Sequence, residues 1–405
     1  MSQQSIMVKQ GDFSTLAYVN GQPQFKGKFK TVPEDFKVIE QIAYELSGEG
    51  EHLWCWVEKR GENTDWVAGK LANWAGTSKA NVGFAGQKDR QAVTRQWFSI
   101  QLPGKADPNP DDLHVEGVKI LKMVRHNRKL QRGGLAGNRF ELVIRDIEPI
   151  VQNEAFSLEA VKHELETRLQ QLALMGVPNY FGEQRFGHNA NNLREGEKLL
   201  TADPRDSSAR KGRGKNRRGG NRNQQSLYIS ALRSWMFNDL LSQRIQQHVW
   251  NQVLPGDIVQ LTGSSKWFVA DDQQDLAELQ QRVVDGDLSP TGGLFGDGVL
   301  PTQAQALALE SKVVESYQAW CDGLAKNRVK QDRRALILKP EGLQWSFDDS
   351  EQQTAGLGDG DGQAGCHRPV CNLHLSFTLP AGSFATMVLR EILQVETVKI
   401  HANDV

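Results

Sequence analysis

V-G-F-A-G-Q-K-D-R-Q-A-V-T-R-Q-W-F-S-I, residues 82–100, places one carboxylate, Asp89, between two cations, Lys88 and Arg90. Gly83 and Gly86 precede it, and a strand-like run from Gln96 to Gln101 follows. Glycines let a backbone turn sharply and let a ligand come close. Cations beside a carboxylate favour its charged form, and a charged carboxylate on such a loop can serve as nucleophile or base. By composition alone the stretch also reads as a surface turn with a solvated Lys-Asp-Arg triplet, since structural ion pairs look the same at this level.

Outward from this loop, the flanking segments read as alternating strands and helices. Phe36 to Glu40 follows Pro33 with partial alternation and is expected to be a strand, as is 51–58. Asn63 or Thr64 can cap a helix whose Trp66, Val67, Leu71 and Trp74 recur at helical spacing, with Gly76 as its stop. A strand is expected over 138–145, a helix over 154–174 with Val161, Leu165, Leu169 and Leu172 on one face, and helices over 226–250 and 303–326. Near the C-terminus 373–379 alternates as a strand, Pro380 to Ser383 turn, and 385–393 reads as a helix.

Composition narrows the class. The chain has 405 residues, of which 39% are hydrophobic and 24% charged, enough for globular cores and long enough for two domains or one with a large insertion. No apolar run approaches the roughly 20 residues of a membrane helix, and the first ten residues carry no apolar signal core. Four cysteines in so long a chain are not a disulfide framework, so a reducing cytoplasm is the expected compartment. With 48 basic and 49 acidic residues, a nucleic-acid binder must segregate its charges.

Charge is segregated in one place. Residues 203–225 carry Arg205, Arg210, Lys211, Arg213, Lys215, Arg217, Arg218 and Arg222 among glycines, with Asp206 as the one acid between Arg205 and Arg222. Without apolar periodicity this segment is expected to be a basic flexible loop, able to release counterions from a phosphate backbone or to act only as a linker. Residues 350–365 are Gly-rich and acidic and read as a flexible loop joining two strands. Residues 178–189, P-N-Y-F-G-E-Q-R-F-G-H-N, interleave Tyr180, Phe181 and Phe186 with amides and Arg185. Two readings stay open here: aromatics that stack on unpaired bases, or aromatics that anchor a tight turn in a core.

Cofactor signals are missing. Cys366, His367, Cys371 and His374 match no common zinc spacing. G-D-G-D-G at 358–362 is too short for a calcium loop. No Walker motif or strand-linked G-x-G-x-x-G is present.

Seven segments in order resemble one family, the TruD-type tRNA pseudouridine synthases. They are P-E-D-F (33–36), G-E-G-E-H (48–52), F-A-G-Q-K-D-R-Q-A-V-T-R-Q-W (84–97), R-H-N-R-K-L (125–130), G-N-R-F (137–140), G-V-P-N-Y-F-G-E-Q-R-F-G (176–187) and L-P-A-G-S-F-A-T (379–386). The two low-complexity stretches lie outside the resemblance. It implies isomerisation of uridine 13 in the D arm of tRNA, without cofactor or metal. It also implies an α+β fold: a catalytic domain of mixed, largely antiparallel sheet formed by 1–175 and 339–405, with a TruD-specific α/β domain, 176–338, inserted in it. Asp89 matches the family's nucleophile and Lys30 the basic residue that pairs with it. Phe36, Asn138 and Phe384 match residues lining the uridine pocket, with Phe140 near it. Lys88 and Arg90 are then expected to matter less than Lys30. Phosphate contacts are expected from Arg210, Lys211, Arg213, Lys215, Arg217 and Arg218. The expected partner is tRNA, with no membrane and a monomeric chain. A non-catalytic tRNA-binding or folding protein on the same scaffold is the alternative.

Overall fold

The computed structural model describes residues 10–151, 157–201, 218–352 and 368–398. The chain divides into two compact units. Among the described residues, one comprises those within 23–173, 340–385 and 392–398; the other comprises those within 10–22, 174–339 and 386–391. Residues 10–22 and 386–391 therefore group with the middle of the chain, whereas the sequence reading assigned them to the flanking domain.

The first unit is built on a ten-stranded sheet. Its early strands are β1 (Phe25–Phe29), β2 (Phe36–Gln41), β3 (His52–Arg60), β4 (Val82–Phe84), β5 (Val93–Gln101), β6 (Val118–His126) and β7 (Gly137–Pro149). The order is Glu341–Gln352, Arg368–Pro380, β7, β2, β5, β3, β6, with β1 on β7 and β4 on β5. The pairs β2–β5 and β1 with Gln394–Thr397 are parallel, and all other pairs are antiparallel. The fold is thus α+β with a mixed, mostly antiparallel sheet.

Helix α1 (Thr64–Trp74) starts where Asn63 caps it, its side chain accepting from Asp65 N–H. Val67, Ala68, Leu71 and Ala72 pack on Leu53, Cys55, Val57, Phe98 and Ile100. Trp66 departs from the expected stripe: it is 41% exposed, with the Lys70 ammonium over its ring. Residues Leu53, Cys55, Val57 and Lys59 occupy alternate positions of β3 and are all fully buried. Period-2 geometry therefore carries a lysine into the core phase of the strand. The same phase puts Glu40 beside Phe36 and Val38 on the buried side of β2.

The second unit contains a four-stranded antiparallel sheet, ordered Trp267–Val269, Ile258–Leu261, Leu288–Leu294, Asp332–Ala335. Its long helix runs Arg218–Gln246, rather than over 226–250. Ala231, Leu232, Trp235, Met236, Phe237, Leu240 and Leu241 are buried in it. Once this apolar core nucleates the helix, each added residue gains a hydrogen bond at little cost. That carries the helix back over residues 218–225 of the expected flexible loop. The calls on Arg210, Lys211, Arg213, Lys215 and Arg217 lie outside the described residues, and of Arg218 only the backbone is described. Most of the acidic segment 350–365 also lies outside them; the strands on either side of it pair antiparallel. The single helix expected over 303–326 is two, Ala304–Ser316 and Gln318–Lys326, broken at Tyr317 with φ −122° and ψ 33°.

The aromatic segment 178–189 resolves to the core reading. Tyr180, Phe181 and Phe186 are 1%, 7% and 1% exposed. The Arg334 guanidinium lies 4.0 Å from the Phe181 ring centroid, and Phe186 packs edge-on against Trp235 at 5.4 Å. Buried Asn238 accepts from Phe181 N–H at 2.8 Å and donates to Phe181 O at 3.0 Å. Rings held in this way leave no face for a base.

Candidate active site

Two loops meet at one end of the sheet of the first unit. Lys30 follows β1, and Asp89 lies between β4 and β5. Because β2 and β5 run parallel, the segments that lead into them arrive at the same edge. There the Lys30 ammonium pairs with Asp89 Oδ2, from 59 positions away in the chain. The other oxygen, Oδ1, accepts from Gln91 N–H at 3.0 Å. The Asp89 side chain keeps 34% exposure while Lys30 keeps 12%, so the carboxylate faces solvent and its partner is sunk behind it.

Aromatic rings hold the cation. Lys30 Nζ lies 4.3 Å from the Phe36 centroid and 5.4 Å from that of Phe29, at cation–π distance. Phe36 stacks on Phe140 at 6.2 Å and 15°, and Phe140 meets Phe377 at 5.6 Å. The Lys30 backbone has φ 59°, in the left-handed region that L-residues avoid. Such an outlier persists only where the surroundings over-determine it.

Asn138 is the second residue of β7, opposite Glu40 of β2. Its Oδ1 accepts from Lys88 Nζ at 2.8 Å, and Lys88 Nζ lies 3.0 Å from Glu40 Oε2. The turn holding Phe384 follows the strand Arg368–Pro380, whose Leu379 is the register partner of Asn138. The structure therefore brings the Asn138 amide and the Phe384 turn to one end of β7. Arg90 points elsewhere, donating to Gly61 O at 3.0 Å. Lys88 does not share that fate. Sequence ranked both cations low, but Lys88 is 8% exposed and bridges two site residues.

Lys59 was missed altogether. Its side chain is fully buried, and Nζ donates to Glu62 O at 2.7 Å and to the backbone carbonyl of Asp89 at 3.1 Å. The available signal was a charged residue in the buried phase of an alternating strand, and the same signal marks Glu40. Burial pushes the Lys59 amine down to about 8, against the pull of Asp89 and with a further push from Lys88. Between that value and the ordinary lysine value of 10.5 the unfolded chain holds a proton that the folded chain has released. Stability therefore rises with pH across this window. Relative to Lys59→Met, the wild-type protein should gain about 2 kcal/mol between pH 8 and pH 10, measured by urea unfolding at each pH. A wild-type-minus-variant difference that stays flat would show that the amine is not displaced.

Among the described residues no group of three or more His, Cys, Asp or Glu is placed to hold a metal, and no helix is long and apolar enough to cross a membrane. Cys371 and His374 lie on the strand Arg368–Pro380, with His374 Nε2 2.9 Å from Asp348 Oδ2.

The family model tRNA pseudouridine synthase D (TruD) matches residues 12–210 and 219–392. The chain is 46% identical to tRNA pseudouridine synthase D of Hydrogenovibrio crunogenus over 383 residues, covering 95% of this chain and 97% of that one. It is 42% identical to the Aeromonas salmonicida protein of the same name, covering 94% of each. A crystal structure assigned as tRNA pseudouridine synthase D from Methanosarcina mazei superposes with a TM-score of 0.68 at 22% identity, over 93% of this chain and 95% of that one. The last match speaks to the fold, and the first three to descent: the chain belongs to the tRNA pseudouridine synthase D (TruD) family.

Proposed function

We propose that this chain isomerises uridine 13 in the D arm of tRNA to pseudouridine, with Asp89 as the nucleophilic carboxylate. The family is one of isomerases acting on tRNA; the position and the residue roles are the proposal. The observation that carries it is the Lys30–Asp89 pair, a half-exposed carboxylate held by a sunken cation among phenylalanines.

The reaction breaks the N1–C1′ bond, turns the base, and joins C5 to C1′. The C5 proton leaves and N1 gains one, so no atom or electron is supplied from outside. The carboxylate acts in one of two ways, attacking C1′ or removing the C2′ proton to give a glycal. Lys30 keeps the carboxylate aimed in either route. The base must leave its stack, which costs a few kcal/mol. Stacking against Phe384 offsets about 1–3 kcal/mol, while Phe36 and Phe140, 8% and 6% exposed and packed on each other, back the pocket rather than stack on the base. Asn138 supplies hydrogen bonds to the uracil edge. Detached uracil is an acceptable anionic leaving group, so a second carboxylate of the glycosidase kind is not required.

Pseudouridine mapping of total tRNA from cells with and without the protein tests the assignment. The signal at position 13 should vanish in its absence and return when the gene is restored. An unchanged signal there, with loss at another position, would remove uridine 13 from the proposal.

A further inference from the structure

Asn138 is not free to choose which end of its amide it offers. Lys88 Nζ lies 2.8 Å from one end of that amide. An ammonium carries three donors and no acceptor, so only the amide oxygen can face it. The NH2 end is left to donate elsewhere, and among the described residues it has no acceptor.

Lys88 is itself held at both ends. Glu40 Oε2 lies 3.0 Å from its ammonium, and the Glu40 side chain is fully buried. Glu40 Oε1 accepts from Trp97 N–H at 3.3 Å. The Lys88 backbone N–H donates to Thr64 Oγ1 at 3.0 Å, and that hydroxyl donates to Gln96 Oε1 at 3.0 Å. A buried charge pair of this kind is weak evidence for stability, and its best-attested use is to fix one arrangement among several.

We propose that Glu40 and Lys88 are positioning residues that lock Asn138 as a donor, so the site reads a carbonyl oxygen of the flipped uracil and not its N3–H. The inference rests on the reading that Asn138 lines the uridine pocket. Uracil offers two such acceptors, O2 and O4. If the donor meets O4, cytosine is rejected, because its amino group would set donor against donor. If it meets O2, the pyrimidines are not distinguished at this point.

The test places 2-thiouridine or 4-thiouridine at whichever uridine of a tRNA transcript the wild-type enzyme converts, and follows single-turnover conversion by nucleoside chromatography. Sulfur accepts hydrogen bonds poorly, so one of the two substitutions should slow the wild type about tenfold. The thio position that does so names the oxygen. In the double variant Glu40→Gln/Lys88→Met, which leaves no lone buried charge, conversion of uridine should fall about tenfold and the thio penalty should shrink below about twofold. Lys88→Arg presents only donors to Asn138, so the thio penalty should persist whatever its rate. That variant keeps the test open if the double variant does not fold. A wild type indifferent to both thio substitutions overturns the proposal, as does a full penalty in the double variant. Asn138→Ala separates the causes. If it keeps the penalty, the placement of Asn138 in the pocket has failed. If it loses the penalty while the double variant keeps it, only the roles of Glu40 and Lys88 have failed.

Discussion

Asp89→Asn should lower the rate of pseudouridine formation by at least about 10^4-fold while tRNA affinity stays within about threefold of wild type. Both chemical routes open to this site pass through the carboxylate, as nucleophile at C1′ or base at C2′, and an amide can do neither. The substitution is also not innocent electrostatically. Two donors face the Asp89 carboxylate, Lys30 Nζ at Oδ2 and Gln91 N–H at Oδ1. An asparagine has one oxygen for the two of them. If that oxygen keeps Gln91, the amide nitrogen confronts the ammonium and Lys30 must move; if it turns to Lys30, the Gln91 N–H loses its acceptor. Asp89→Ala therefore belongs beside it, since it removes the carboxylate without adding a donor. Asp89→Glu keeps the charge but displaces it by one methylene, for which a loss of about 100-fold is expected. Primer extension after carbodiimide treatment measures the product, and a filter-binding titration measures affinity. Pseudouridine made by Asp89→Asn at more than about one hundredth of the wild-type rate would remove Asp89 from the chemistry.

Some of this site is legible in the sequence and some is not, and the division follows physical lines. Asp89 announces itself because glycines and neighbouring cations surround it locally. Lys30 has no such local signature; only a resemblance points to it, because the pair closes across 59 positions. Glu40 and Lys59 carry no local sign of burial. A charged residue in an alternating strand is usually the solvent side, but here Phe36, Val38 and Glu40 share the buried side, as do Val57 and Lys59. Their partners, Lys88 and the Asp89 carbonyl, come from another loop, so no window of sequence shows them satisfied. The aromatic segment 178–189 stayed open for the same reason. Asn238 and Arg334, which seat Phe181 in the core, lie far along the chain. The small sheet of the second unit escaped because its strands are short and one of them reads L-S-P-T-G-G-L, with little alternation to find.

Lys30→Met should cost about 100-fold or more in turnover yet leave the fold almost as stable as before. The pair it breaks is partly exposed, and exposed ion pairs are worth only about 0–1 kcal/mol. What is lost is aim. Lys30 is 12% exposed and sits 4.3 Å from the Phe36 ring centroid, so its ammonium has one place to be, and Asp89 is held against it. Without it the carboxylate keeps the Gln91 N–H alone and can swing toward water. Lys30→Arg should restore little, because a planar guanidinium does not fit a slot cut for a compact ammonium between two rings. The backbone supplies an independent check. With φ 59°, Lys30 occupies a conformation that costs an L-residue about 1–2 kcal/mol and glycine almost nothing. Lys30→Gly should therefore be more stable than Lys30→Ala by about 1 kcal/mol, although both lose turnover alike. Paired thermal melts and single-turnover rates on the two variants decide this. A glycine variant no more stable than the alanine one would mean that the backbone relaxes there. Lys30→Met turning over within about threefold of wild type would mean that the cation only neighbours the reaction.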